Sequence, residues 1–451
     1  MFEGTVDKFG GTSVAAAENV QNVADIVSCR PEIRVVVVSA PGERFKGDAR
    51  VTNLLRDWHA ARQSHDESNF FSLQRMILER FRNIEEKFGL HIAEGEVSQI
   101  KNELENGASL EHTESRGEYI AALLMSKILG FNFLDAASII KFDDRGSLLR
   151  GDTRKAVRAR VRDTEEKIVV PGYYGTDRKG AIRTFSRGGS DITGALIAAA
   201  VKAERYRNWS DSNLRHADPR IVKRARHIRA LSYEELREFA LAGASVFHPD
   251  AVLPVQEAGV PTEILNSFDP TADGTLVFSD AMPSKGSGFT GVAGERGFSI
   301  ITIRKPQMND MKGYLLKPLA SLNEHGVSIA HLPTGIESLS IVVKTKEIEK
   351  NIEKIVESLK VRSDTPRVEV EHSFARIALV GRNMARVRGV AGMLFTAIAK
   401  AGVNVRTIDQ GAPEMTIAFC VNESDYEKAI RAAYNEFFLS SWQRFLHPLF
   451  A

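Results

Sequence analysis

Lys8-Phe9-Gly10-Gly11-Thr12-Ser13-Val14 stands between an apolar start and an amphipathic segment that reads as a helix from Val14 to about Cys29. Two adjacent glycines let the backbone take positive φ and let a ligand approach the main chain with no Cβ in the way. Thr12 or Ser13 is placed to cap the helix, whose N-terminus presents free N–H groups and a partial positive charge, and Lys8 adds a full charge. The stretch predicts an anion site at a strand-to-helix turn, although an isolated Gly-Gly pair is also the mark of a plain turn.

A second stretch, Arg187-Gly188-Gly189-Ser190-Asp191, again runs into a small-residue helical segment, Ile192 to Ala203. Two such starts suit a site that holds two anions side by side. Together with Val35-Val36-Val37-Val38-Ser39-Ala40-Pro41-Gly42, Ser115-Arg116-Gly117-Glu118, Asp218-Pro219-Arg220-Ile221-Val222 and Ile408-Asp409-Gln410-Gly411, they make a sequence that resembles the amino-acid kinase family, and within it the aspartate kinases. The likeness covers nearly the whole chain. It implies an α/β protein: an amino-acid kinase three-layer sandwich over residues 1–285, then two ferredoxin-like ACT modules over 286–370 and 371–451, with the first strand of the first module available to pair with the second.

Composition agrees with a soluble globular protein. The 451 residues are enough for two to three domains, and 43% hydrophobic and 26% charged residues with a net charge of +2 give no electrostatic reason to propose nucleic acid or a membrane surface as partner. Only two cysteines occur, Cys29 and Cys420, without metal-like spacing, which predicts a reduced, cytoplasmic chain lacking a disulfide framework. The start Met-Phe-Glu-Gly has neither the basic nor the apolar region of a secretory leader.

Taken in order, Val35 to Ser39 is a β-branched run bounded by Pro41-Gly42, which suits a fully buried parallel strand. Gly42 to Gly47 is not a P-loop, because Asp48-Ala49 stand where Lys and Ser/Thr are needed. Val51 to Asn106 reads as a charged helical subdomain. Arg116-Gly117-Glu118 then opens a helix running from Tyr119 to Leu129, and a glutamate in a first turn is usually a dipole-favoured residue. The resemblance gives Glu118 a sharper role, holding the substrate's amino group, and gives Tyr173, after the strand Lys167 to Val170, a place in the wall of the amino-acid pocket. It also implies that Ser210, Asp211, Asp218 and Arg220 contact ATP. The intervening loop, Ser212 to Ala217, is one residue shorter than usual and lacks the family's glycine and aromatic. Ser245 replaces a lysine found in many relatives, and serine also occurs there in a subgroup. His248, before proline, reads as a hydrogen-bonded turn histidine.

Asp280 to Gly288 has a linker's composition. Beyond it, strand, helix, strand, strand occurs twice, with Gly326-Val327-Ser328 and Gly402-Val403-Asn404 after the two helices. This repeat resembles paired ACT domains, small amino-acid sensors that usually dimerise. The resemblance implies regulatory contacts at Met308, Gly313, Tyr314, Ser328 and Ile329 and a homodimer through these modules. Lysine is the expected inhibitor of many relatives, but the position acidic in lysine-binding relatives is Ala330 here, and Gln410-Gly411-Ala412-Pro413-Glu414 replaces their Ser-Ser. Weak or absent lysine inhibition is therefore expected, with another amino-acid effector possible and Glu337 the substitute acid if lysine does act.

The resemblance implies transfer of the γ-phosphoryl group of ATP, with Mg²⁺, to the side-chain carboxylate of L-aspartate, the first step toward lysine, threonine and methionine. A carboxylate is ionised at neutral pH, so no general base is needed; the site must supply alignment and positive charge. Lys8 with the N–H groups of Gly10 and Gly11 fits that task. Arg187 offers a fork for the α-carboxylate, Glu118 and Asp191 face the ammonium or organise that site, with Asp191 counted beside Lys8 as catalytic, and Thr12, Ser13, Ser39 and Ser190 complete the donors. No protein-borne metal site is expected. The alternatives are a kinase of another small amino-acid carboxylate, and a catalytically weak ACT-type ligand-binding regulator.

Overall fold

A computed structural model describes residues 2–162, 164–186, 188–244, 247–279 and 288–439. It divides into two compact units: Met1–Leu214, His227–Arg237 and Ser245–Met282 form the first, and Arg215–Arg226, Glu238–Ala244 and Pro283–Ala451 the second.

The first unit is built on an eight-stranded sheet. Its strands are β1 (Thr5–Phe9), β2 (Ile33–Val38), β3 (Asn132–Phe133), β4 (Ile168–Pro171), β7 (Arg205–Ser210), β8 (Ala230–Ser232), β9 (Thr262–Asn266) and β10 (Thr275–Phe278), with β5 (Tyr174–Thr176) and β6 (Ile182–Thr184) forming a separate hairpin. The order is β3-β4-β2-β1-β7-β9-β10-β8, and all neighbours are parallel except β9 and β10. Ile33-Arg34-Val35-Val36-Val37-Val38 forms the expected buried parallel strand, between β1 and β4. Alternation sends its valines to opposite faces. Val36 and Val38 join Phe9 in the core made with α1 (Ala17–Ser28), α2 (Val51–Gln63), α3 (Glu67–Glu85), α4 (Ala93–Glu105) and α5 (Leu110–Leu129), while α6 (Gly189–Val201) packs on the other face. The result is three layers. After β4 the chain crosses to the far side of β1 and resumes as β7, so the carboxyl ends of β1 and β7 flank the switch point at which α/β sheets bind ligands.

Three helix starts differ from the sequence reading. Residues Gly11–Val14 form a short 3₁₀ turn and the α-helix begins only at Ala17, so neither Thr12 nor Ser13 caps it. Gly10 and Gly11 also keep negative φ; Gly11 is required for close approach, since a Cβ there would meet the Ala40 carbonyl at 2.8 Å. The helix carrying Glu118 starts at Leu110, where the Ser109 side chain accepts from His112 N, which puts Glu118 in mid-helix and not in a first turn. Gly117 does not interrupt it: its missing Cβ lets the helix pack against Ala40, 2.8 Å from where that atom would lie. The second glycine-rich helix begins at Gly189, three residues before Ile192.

The second unit holds a six-stranded antiparallel sheet, order β12-β13-β11-β14-β16-β15, from β11 (Gly291–Arg304), β12 (Ile329–His331), β13 (Ser338–Lys344), β14 (Val368–Val380), β15 (Val405–Gln410) and β16 (Thr416–Asn422). Register shifts near Gly297, which has φ of 83°, split β11 in two. Its second half, Phe298 to Arg304, and the first half of β14, Val368 to Glu371, complete one βαββαβ module with helices at Leu316–Glu324 and Ile352–Arg362. Its first half, Gly291 to Arg296, pairs with Ala375 to Val380 and supplies the fourth strand of a second module with helices at Val390–Lys400 and Tyr426–Tyr434. Each module has its own core, around Leu322, Ile341 and Leu359 in one and Leu394, Phe419 and Ile430 in the other.

Candidate active site

The parallel register of β1 and β7 sets Lys8 opposite Asn208 and lets Phe9 stack on Trp209 at 5.6 Å. Phe9 lies in the core with α1 to α5, so Lys8, its neighbour along the strand, faces α6. There its amino group lies 2.6 Å from Asp191 Oδ1, and both side chains are largely buried. Asp191 is held from two more directions, accepting from Asn208 Nδ2 at 3.0 Å and from His248 N at 3.2 Å. Gly10 N donates to Trp209 O and Gly42 N to Gly11 O, so the turns after β1, β2 and β7 are locked together.

Ser39 continues β2 and donates its N–H to Phe9 O at 3.2 Å. Ser13 Oγ is 2.7 Å from Ser267 Oγ, whose hydroxyl reaches Ser210 O. Ser190 is buried in the first turn of α6, against Gly172. Thr12 lies half-buried in the 3₁₀ turn, and Ser210 Oγ approaches Asp211 Oδ1 at 3.5 Å. Thus Lys8, Gly10, Gly11, Thr12, Ser13, Ser39, Ser190, Asp191, Ser210 and Asp211 all lie at the β1, β2 and β7 carboxyl ends or the helix that meets them. Arg187 and Ser245 lie outside the described residues. Asp218 and Arg220 belong to the second unit, where the guanidinium grips the carboxylate at 2.7 and 3.0 Å.

Glu118 is buried in α5. It accepts a bond from the Ala40 backbone, while its Oε2 has no hydrogen-bond partner among the described residues. Burial pushes its pKa up to about 8, and the nearby Glu114 carboxylate adds to the rise. An orphaned, buried carboxylate oxygen calls for a cation. Tyr173 follows β4 with φ of 79°, a left-handed conformation that costs a residue with a side chain about 1–3 kcal/mol. Its hydroxyl donates to Glu114 Oε2 at 3.0 Å. Glu114, Asn208, Ser267 and the backbone of His248 carry no sequence signal of their own; only strand register and helix phase bring them here. His248 itself caps a helix, Pro249–Ala258, through Nδ1, consistent with a turn histidine.

In the second unit, Met308 is buried in a 3₁₀ turn, Gly313 has φ of 73°, and Tyr314 donates to Ser363 O at 3.0 Å. Ser328 N donates to Glu347 Oε2, and Ile329 is partly exposed on an edge strand. Glu337 reaches the turn that Met308 opens, its Oε1 lying 3.4 Å from Gln307 N.

The amino acid kinase family model matches residues 4–266, and an ACT domain model matches 377–437. The chain is 31% identical to aspartokinase 3 of Bacillus subtilis, over 96% of this chain and 98% of that one. It is 29% identical to lysine-sensitive aspartokinase 3 of Escherichia coli, over 97% and 100%. Among solved structures, aspartate kinase of Clostridium acetobutylicum superposes with a TM-score of 0.79 at 35% identity, over 96% of this chain and all of that one. Aspartokinase III of E. coli in complex with aspartate and ADP gives 0.79 at 28% identity, over 97% and 100%. Matched across its first unit by one family's model and almost end to end by aspartokinases, the chain belongs to the amino acid kinase family, among the aspartokinases.

Proposed function

We infer that this protein is an aspartate kinase, phosphorylating the side-chain carboxylate of L-aspartate with ATP to give 4-phospho-L-aspartate and ADP, at the head of aspartate-derived amino-acid biosynthesis. The observation that carries this is the pairing of an anion-directed lysine, Lys8, with a buried carboxylate that has an unsatisfied oxygen, Glu118, at one end of one sheet. A substrate with an anionic acceptor and a free ammonium answers both. A substrate with a blocked nitrogen would leave Glu118 without its cation.

The roles follow from charge. A carboxylate oxygen of aspartate attacks the γ-phosphorus as the bond to the ADP oxygen breaks, and no proton has to move. Lys8 meets the negative charge spread over the transferring oxygens, and Asp191 fixes its direction. Glu118 takes the substrate ammonium, Tyr173 walls the pocket, and Arg187 is assigned the α-carboxylate on its sequence motif. Ser210 and Asp211 are assigned to the nucleotide. Mg²⁺ carried by the nucleotide would neutralise charge on its phosphate oxygens.

The second unit is proposed to bind an amino-acid effector and to join two copies of the chain, a role its two edge strands, Ile329–His331 and Val405–Gln410, leave room for. Among the described residues no helix is long and apolar enough to cross a membrane. The deciding experiment is ADP release with MgATP, with and without aspartate, and trapping of the acyl phosphate with hydroxylamine. ATP turnover indifferent to aspartate, or turnover supported equally by N-acetylated amino acids, would overturn the assignment.

A further inference from the structure

One buried carboxylate beside the amino-acid pocket has no part in the chemistry above. Glu114 lies one helical turn before Glu118 on α5, so the two project from the same face. Its side chain is 6% exposed, and both oxygens are engaged: Oε1 lies 2.5 Å from Arg56 Nε, on α2, and Oε2 accepts from the Tyr173 hydroxyl at 3.0 Å. Tyr173 is a residue that has to be held. Its left-handed backbone is disfavoured for any residue with a Cβ and persists only where the surroundings enforce it.

Those surroundings can be named. Tyr173 N lies 3.2 Å from Thr193 Oγ1, its carbonyl accepts from Phe185 N at 3.0 Å, and its ring fits against Gly189, where a Cβ would fall 2.8 Å from Cδ2. These contacts fix the base of the side chain. The hydroxyl at its tip donates to Glu114 and has the Thr184 side chain as a second hydrogen-bond partner. The same helix also pins the hairpin that follows, since Glu111 accepts from Thr184 N at 3.1 Å and from Arg183 Nη1 at 2.9 Å.

We propose that Glu114 is a positioning residue for the amino-acid pocket: backed by Arg56, it holds the Tyr173 ring so that the pocket wall is set by the same helix that carries the ammonium partner Glu118. This ties wall and charge to one rigid element, and the spacing between them is then the helix repeat. It rests on the aspartate reading of the pocket. Because Glu114 accepts on both oxygens, the Tyr173 hydroxyl is the donor and its ring rotation is set.

The test uses the full-length enzyme and four variants: Glu114→Val, Glu114→Gln, Tyr173→Phe, and the double variant Glu114→Val/Tyr173→Phe. Rates of ADP release are measured with aspartate varied at saturating MgATP, then the reverse. Expected are KM values for aspartate raised about tenfold in Glu114→Val and in Tyr173→Phe, with a smaller change in kcat and in KM for ATP. The double variant should be little worse than the poorer single one, because the Tyr173–Glu114 bond, which both remove, is lost only once. Glu114→Gln, which keeps an acceptor for the phenol, should recover most of the affinity. If Glu114→Val fails to fold, Tyr173→Phe and Glu114→Gln still decide, since each alters a single polar group. Multiplicative losses in the double variant, losses confined to KM for ATP, or parent-like aspartate dependence in both Tyr173→Phe and Glu114→Val would overturn the proposal. A parent enzyme without aspartate-dependent turnover would instead overturn the substrate reading, so the two failures are distinguishable.

Discussion

Replacing Glu118 by glutamine keeps the shape of the side chain and removes its charge. In the pocket without substrate, burial holds the carboxyl pKa up at about 8, so at pH 7 only about a tenth of molecules carry the anion that an ammonium needs. Apparent aspartate affinity should therefore rise, by at most about 50-fold, between about pH 6 and pH 8 and level off above, because the competent fraction grows from about 1% to about half while the protonated form keeps only the weaker binding of a neutral side chain. Losing a hydrogen bond to a charged group costs about 1.5–3 kcal/mol, so at pH 8 the Gln variant should bind aspartate roughly 10- to 150-fold more weakly than the parent. Near pH 6 the two should converge, since the parent is then protonated and neutral as well.

Stability moves the other way. The folded-state pKa lies above the ordinary carboxyl value of 4.5, so the folded protein holds a proton the unfolded chain has given up. Without aspartate, stability is lost as pH rises from that ordinary value through about 8, by up to about 5 kcal/mol, and the Gln variant escapes the loss. Calorimetric titration of aspartate across this pH range, paired with thermal unfolding, reads both effects. Parallel pH profiles for parent and variant would refute the reasoning.

Lys8→Ala should lower kcat by about 100- to 1,000-fold while calorimetry still detects aspartate binding; unchanged turnover would remove Lys8 from the phosphoryl site. Arg80→Met should destabilise the protein by about 1–3 kcal/mol in urea unfolding, because the carbonyls of Gly42 and Ala49 lose the buried guanidinium that bonds them, while Asp48, 3.1 Å from it, keeps its bonds from Arg44. The short loop from Ser212 to Ala217 should weaken ATP binding relative to aspartokinases with the usual loop, and titration with MgATP checks it. Lysine titrated into the kinase assay should inhibit weakly or not at all, since Ala330 supplies no counter-charge; strong inhibition at sub-millimolar lysine would point to Glu337, which already reaches the Gln307 turn.

The β-branched run 35–38, the glycine-rich turns and the strand-helix-strand-strand repeat are all local signals, and local signals are what a single sequence displays. Helix starts are less legible. Gly117 looks like a boundary but serves close packing against Ala40, and Thr12 and Ser13 look like caps but sit in a 3₁₀ turn before the helix. Partners such as Asn208 for Asp191, Ser267 for Ser13 and Glu114 for Tyr173 depend on strand register and helix phase between distant segments. No spacing along the chain encodes them. Glu118 could be singled out from its motif, but the orphaned oxygen that gives it meaning is a property of burial alone.

The division of β11 between two modules has a consequence for how the chain is made. During synthesis Gly291 to Arg296 leaves the ribosome long before Ala375 to Val380, so the strand pair that closes the second module cannot form until the whole of the first has emerged. The first module can complete itself from Phe298 to Glu371 in one pass, whereas the second must keep an unpaired β-strand waiting. That waiting edge is the point at which the nascent chain is most exposed to mispairing and chaperone capture. Folding intermediates trapped early should therefore be protected from hydrogen exchange at Ile341 and unprotected at Ala293.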